Sequence, residues 1–294
     1  MKGISGEETP FKQKDFKALL QHHINICSSI IPRQSWASQD YRYFDMFGGP
    51  GIIHENGETI YGSPVIFLNT IREFSLPYLA DIVEQDMITF LDLQAIINSP
   101  LVRLHNGDSQ TVYKRFLSPN KKQYGLLYLD PDMSEDGFDL SFTIAKDFST
   151  YYPMMDILFY ISANNIKRIA GVKNTPDLQE RLSPISKKHW VIRTLKTKFQ
   201  YTFLIGTNFI APFVWSNKEF YSIQSPEGKA IFDKANFTRE ELKKKIQPEL
   251  TGLTGLMQNI YSIPHLELSE RKRFGGLMAF AKSAIKDQLR KYIT

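Results

Sequence analysis

Several short stretches combine residue types that could hold a ligand at the ends of β-strands. Phe47-Gly48-Gly49-Pro50-Gly51 closes the apolar and aromatic run from Tyr41 to Met46. Gly49 and Gly51 would let the backbone turn sharply and come close to a bound molecule. Glu84, with Asp86 as the alternative, ends the next apolar run, where a carboxylate can accept hydrogen bonds from ribose hydroxyls. Asp108, in Asn106-Gly107-Asp108, can accept from an adenine amino group. Asp130-Pro131 follows the apolar run Tyr124 to Leu129, and the proline restricts the turn that carries the carboxylate. Each feature alone reads equally well as an ordinary strand end. In this order they point to an adenosine-containing cofactor.

The elements that would position them follow from periodicity and breakers. Residues 15–31 place Phe16, Leu19, Leu20, His23, Ile24, Cys27, Ile30 and Ile31 on one helical stripe that Pro32 stops. Strands are expected at 41–46, 78–83, 101–104, 124–129 and 155–162, with helices at 88–97, at 138–149 and from 163 onward. Two further strands, 190–195 and 201–207, form an expected antiparallel pair. Strands that alternate with helices predict an α/β fold with a largely parallel sheet, whose ligands bind beyond the carboxyl ends of the strands. Helices are expected at 238–245, opened by the capping pair Thr238 and Glu241, and at 269–293. The domain organisation read from this pattern is a leading helical segment 1–35, a sheet domain 36–210 and a mostly helical appendage 211–294.

The segment Phe44-Asp45-Met46-Phe47-Gly48-Gly49-Pro50-Gly51 resembles the first motif of the Rossmann-like S-adenosylmethionine-dependent methyltransferases. Glu84 resembles the acidic end of their second strand, Asn106-Gly107-Asp108 their third motif and Leu129-Asp130-Pro131-Asp132 their fourth. A narrower resemblance is to the three-Cys-motif partner proteins, through Asp45 to Gly51, the Gly62-Ser63-Pro64 triplet and the leading helix with His22 and His23. The resemblance covers roughly residues 15–165. It implies S-adenosylmethionine as cofactor, held by Asp45, Phe47, Gly49, Gly51, Ser63, Glu84 or Asp86, and Asp108. It implies Asp130, Pro131, Asp132 and Asn164 on the side of the methyl acceptor. Asp132 and Met133 stand where nucleic-acid amino-methyltransferases usually carry a second proline and an aromatic residue.

Charge bears on the partner. The 294-residue chain has a formal net charge of +5, yet 165–200 holds nine Lys or Arg against two acidic residues. Lys167, Arg168, Lys187, Lys188, Arg193, Lys196 and Lys198 are interleaved with Trp190, Phe199 and Tyr201, a pattern suited to a phosphate backbone and exposed bases. A solvated charged face is the alternative. Two functions stay open: a methyltransferase acting on nucleic acid, DNA before RNA, and an inactive methyltransferase-like partner protein that holds nucleic acid or another protein. A nicotinamide dehydrogenase is disfavoured because no glycine follows Gly51 three positions later. The apolar content of 42% excludes a wholly disordered chain. No long uncharged apolar run and no apolar leader are visible, so a cytoplasmic protein without a membrane span is expected. One cysteine, four scattered histidines and the adjacent pair His22 and His23, which would point to different helix faces, predict no structural metal.

Overall fold

In a computed structural model, residues 8–55, 57–118, 122–131, 135–162, 178–196, 201–208, 215 and 218–236 are described. Helix α1 (Thr9–Ile30) begins at Thr9 rather than at residue 15, because Pro10 is pre-set for a first helical turn. Its stripe is buried as expected, with Phe16, Leu20 and Ile24 fully enclosed and Cys27 in the core. Pro32 ends it in a short 3₁₀ turn, Ile31–Arg33.

The main sheet contains β1 (Tyr41–Asp45), β4 (Tyr78–Glu84), β5 (Val102–Asn106), β6 (Gly125–Leu129), β7 (Met155–Ser162), β8 (His189–Arg193), β9 (Tyr201–Thr207) and β10 (Phe220–Ser222). Its order is β10-β8-β9-β7-β6-β1-β4-β5. The pairs β1–β4, β4–β5, β1–β6 and β6–β7 are parallel, whereas β8–β9 and β8–β10 are antiparallel. This is the expected α/β fold with a largely parallel sheet and an antiparallel pair at β8 and β9. From β1 the chain winds outward to β4 and β5, then returns across β1 to build β6 and β7. The order therefore reverses between β1 and β6, and such reversals leave a crevice beyond the strand ends. Strands β6 and β7 are buried on both faces, which is why they read as unbroken apolar runs.

Helices α2 (Ser63–Ile71), α3 (Met87–Ile96), α4 (Ser109–Val112) and α5 (Glu135–Tyr151) lie between the parallel strands. Helices α6 (Leu178–Leu182) and α7 (Pro226–Ala235) come later. A separate antiparallel hairpin, β2 (Ile52–Glu55) with β3 (Glu58–Tyr61), follows the glycine turn. Gly57 takes φ 80° in its turn, a left-handed conformation that glycine adopts without strain. This hairpin and α2 (Ser63–Ile71) fill the interval between Gly51 and β4.

The chain divides into two units, 1–161 with 178–235 and 162–177 with 236–294. Helix α1 shares one apolar core with the sheet of the first unit. The second unit lies almost wholly outside the described residues, as do the helices expected from 163 onward, at 238–245 and at 269–293. Among the described residues no helix is long and apolar enough to cross a membrane.

Candidate functional site

The turn after β1 is clasped to the end of β4. The Gly48 N–H donates to the Val83 carbonyl at 2.8 Å, and the Gly49 N–H to Glu84 Oε2 at 2.7 Å. Gly49 has φ 61°, and a Cβ there would meet nothing within 4 Å. The backbone thus turns beside open space, as a ligand cradle requires. Glu84 also accepts from the Asp86 N–H at 2.7 Å, and partial burial raises its pKa in spite of these bonds.

Asp45 does not reach the recess beside this turn. It is completely buried, and accepts from Ser63 Oγ at 2.6 Å, the Phe47 N–H at 3.2 Å and Tyr43 Oη at 3.2 Å. Burial pushes its pKa up to about 7. Its place is behind the turn, where it ties the end of β1 to the start of α2. Ser63 donates its hydroxyl to Asp45 and also lines the recess.

Gly51 packs closely against the neighbouring helices. A Cβ on it would stand 2.8 Å from Leu93 and 3.1 Å from Val65, so the missing side chain makes room for α3 and α2. Asp86 caps α3. Its Oδ1 accepts from the Thr89 N–H and Oγ1, both at 2.9 Å, and these bonds hold its pKa down at about 2. Asp108 likewise caps α4, accepting from the Gln110 N–H at 2.8 Å.

Across the crevice, β6 delivers Asp130 to the same recess. Its walls include Phe47, Gly49, Pro50, Ser63 and Asp130, with Lys12 and Gln13 from α1 and Ile53 from the hairpin. Asp130 Oδ2 accepts from Lys12 Nζ at 2.8 Å and Tyr128 Oη at 3.2 Å. Lys12 Nζ also lies 4.8 Å from the centre of the Tyr160 ring. Pro131 follows Asp130, while Asp132 and Asn164 lie outside the described residues. Sequence reasoning missed Lys12, Gln13, Ile53 and Tyr128. Gln13 did leave a signal, since it stands three residues before Phe16 and seven before Leu20 on the buried stripe.

The basic segment is less available than its composition promised. Lys187 is buried, and its Nζ donates to the backbone carbonyls of Pro153 and Met155; burial lowers its pKa to about 8. That ammonium cannot meet a phosphate without unpacking. Arg193 pairs with Asp15 at 2.9 Å and with Glu219 at 3.3 Å, and Lys196 pairs with Glu219 at 3.4 Å. These two cations are therefore partly neutralised within the chain. Lys188 is exposed, whereas Lys167, Arg168 and Lys198 lie outside the described residues.

No protein-family model matches the chain. No curated protein matches it. Solved structures similar to it include a protein from Legionella pneumophila str. Philadelphia 1, with TM-score 0.49 and 12% identity over 74% of this chain and 93% of that one. Fibrillarin from Aeropyrum pernix, solved with natively bound S-adenosyl-L-methionine, gives TM-score 0.37 and 9% identity over 58% and 67% of the two chains. A type I restriction-modification methyltransferase subunit from Streptococcus thermophilus gives 0.34 and 12% over 66% and 44%.

Proposed function

We propose that the protein is an S-adenosylmethionine-dependent methyltransferase acting on nucleic acid, DNA in preference to RNA, in the cytoplasm. One observation carries the reading: the glycine turn after β1 and Asp130 after β6 meet at one recess, where the strand order reverses. A Cβ at Gly49 would meet nothing within 4 Å, so the backbone there is open to close approach by a ligand. When bound, the cofactor supplies an electrophilic methyl group. The chain's own part is placement, which accounts for much of the acceleration in such a transfer. This reading assigns the ribose to Glu84, close backbone approach to Phe47 and Gly49, and the acceptor to Asp130. The Asp130 carboxylate can take a hydrogen bond from an acceptor amine as the methyl group arrives, and Lys12 Nζ, 2.8 Å away, fixes its orientation.

The Lys12–Asp130 pair also favours a second reading. A carboxylate already engaged by an ammonium has fewer lone pairs left for an acceptor amine, as a non-catalytic methyltransferase-like protein would tolerate. Such a protein, akin to the three-Cys-motif partners, would use the fold to hold nucleic acid or another protein. A labelled-methyl assay on mixed DNA and RNA, run beside calorimetry with S-adenosylmethionine, separates the two. Cofactor binding with methyl transfer supports the enzyme, whereas cofactor binding without transfer supports the partner protein. Absence of cofactor binding overturns both cofactor-based readings.

A further inference from the structure

Helix α1 brings an unusual pair of side chains to the recess. Gln13 is 8% exposed, lines the recess, and its Oε1 is buried with no hydrogen-bond partner. A buried amide oxygen without a donor is costly, and the cost disappears when a ligand brings an N–H. Beside it, Lys12 spends one of its three N–H donors on Asp130. Its ammonium is held at the recess by that carboxylate and by the Tyr160 ring. A neutral acceptor next to a cation suits a zwitterionic amino-acid group, whose ammonium donates to the first and whose carboxylate faces the second. The adjacent walls, Gly49 and Pro50, are backbone and ring surface with no charge of their own.

We infer that α1 is the receptor for the amino-acid end of the cofactor, with Gln13 Oε1 accepting from its α-ammonium and Lys12 facing its α-carboxylate. This rests on the cofactor reading above and assigns Gln13 and Lys12 as binding residues within it. It also explains why a glutamine occupies an inward position on a stripe otherwise continued by Phe16, Leu20 and Ile24.

Calorimetry on the full chain tests the inference with two probes, S-adenosylhomocysteine and 5′-methylthioadenosine, which lacks the amino-acid end. Gln13→Leu is expected to weaken S-adenosylhomocysteine binding roughly tenfold or more, the worth of one hydrogen bond to a charged group. Binding of 5′-methylthioadenosine is expected to stay within about twofold. Gln13→Glu keeps an acceptor at that position and is expected to retain S-adenosylhomocysteine binding, with folding of both variants checked by thermal melting. Equal weakening of both probes, or no weakening of either, overturns the assignment and leaves the cofactor reading standing. The same holds if the unaltered protein binds both probes equally tightly. If the unaltered protein binds neither, the cofactor reading fails and this inference falls with it.

Discussion

Asp130 combines exposure to the recess with a fixed position, because β6 is buried along its whole length and Pro131 restricts the turn that follows. Asp130→Ala is expected to remove methyl transfer by about 10²–10⁴-fold while cofactor affinity changes only a few fold, the usual loss for a group that manages a proton. Single-turnover assays beside calorimetry read both quantities. Asp45 has a different character. Its pKa is raised to about 7 by burial, so the folded protein holds a proton there that the unfolded chain releases near pH 4. Its contribution to stability is therefore full below about pH 4 and is lost as pH rises through about 7. Asp45→Asn keeps an acceptor for Ser63 and removes the titration. The difference between the two melting-temperature profiles is expected to grow from pH 4 to pH 7 and then level off. Parallel profiles would show that Asp45 is ionised in the fold.

Two elements depend on single side chains. The glycine turn needs Gly49 at φ 61°, a conformation that a β-branched residue adopts only with strain. Gly49→Val would also fill the open space beside the turn. It is expected to abolish binding of S-adenosylhomocysteine in calorimetry, and unchanged affinity would exclude the turn as the binding site. Helix α1 is tied to the sheet by His23, whose Nδ1 lies 2.7 Å from Tyr41 Oη and whose Nε2 lies 3.0 Å from Asp156 Oδ2. Burial lowers the pKa of this imidazole, but the Cys27 sulfur and the Asp156 carboxylate outweigh it and raise it to about 10. Asp156→Ala leaves the buried imidazole without its carboxylate and is expected to cost about 3–5 kcal/mol in denaturant unfolding. Since α1 also carries Lys12 and Gln13, loosening this brace is expected to weaken cofactor binding as well.

For the molecule as a whole, a nucleic-acid partner makes a salt prediction. Affinity is expected to fall steeply with salt, because each neutralised phosphate releases bound counterions. Lys188→Glu, at an exposed cation, is expected to reduce the log–log salt slope by about one and leave the melting temperature unchanged. Lys187→Glu is expected instead to destabilise the fold, because it sets a carboxylate against the Pro153 and Met155 carbonyls. Filter binding at several salt concentrations, with melting curves for both variants, distinguishes the two lysines. A salt-independent interaction would leave the basic segment as a solvated face.

Much of this architecture was legible along the chain. Buried parallel strands such as β6 and β7 need continuous apolar runs, and an amphipathic helix such as α1 needs its stripe, so both leave local marks. The alternation of strands and helices and the positions of strand ends followed from those marks. Three things were not local. The hairpin β2–β3 has short strands, half exposed, with little apolar pattern to announce them. Whether an acidic residue faces a ligand or the interior depends on neighbours beyond local spacing: Asp45 accepts from Ser63, 18 residues on, and Asp130 is engaged by Lys12 from a helix 118 residues away. The charge of 165–200 was plain in the composition, but packing decided which cations remained free. Lys187 is buried, and the partners of Arg193 and Lys196 come from residues 15 and 219. Periodicity records which face of an element is apolar. The partner of a polar group is set by how elements meet, and that meeting depends on three-dimensional packing beyond the reach of local spacing.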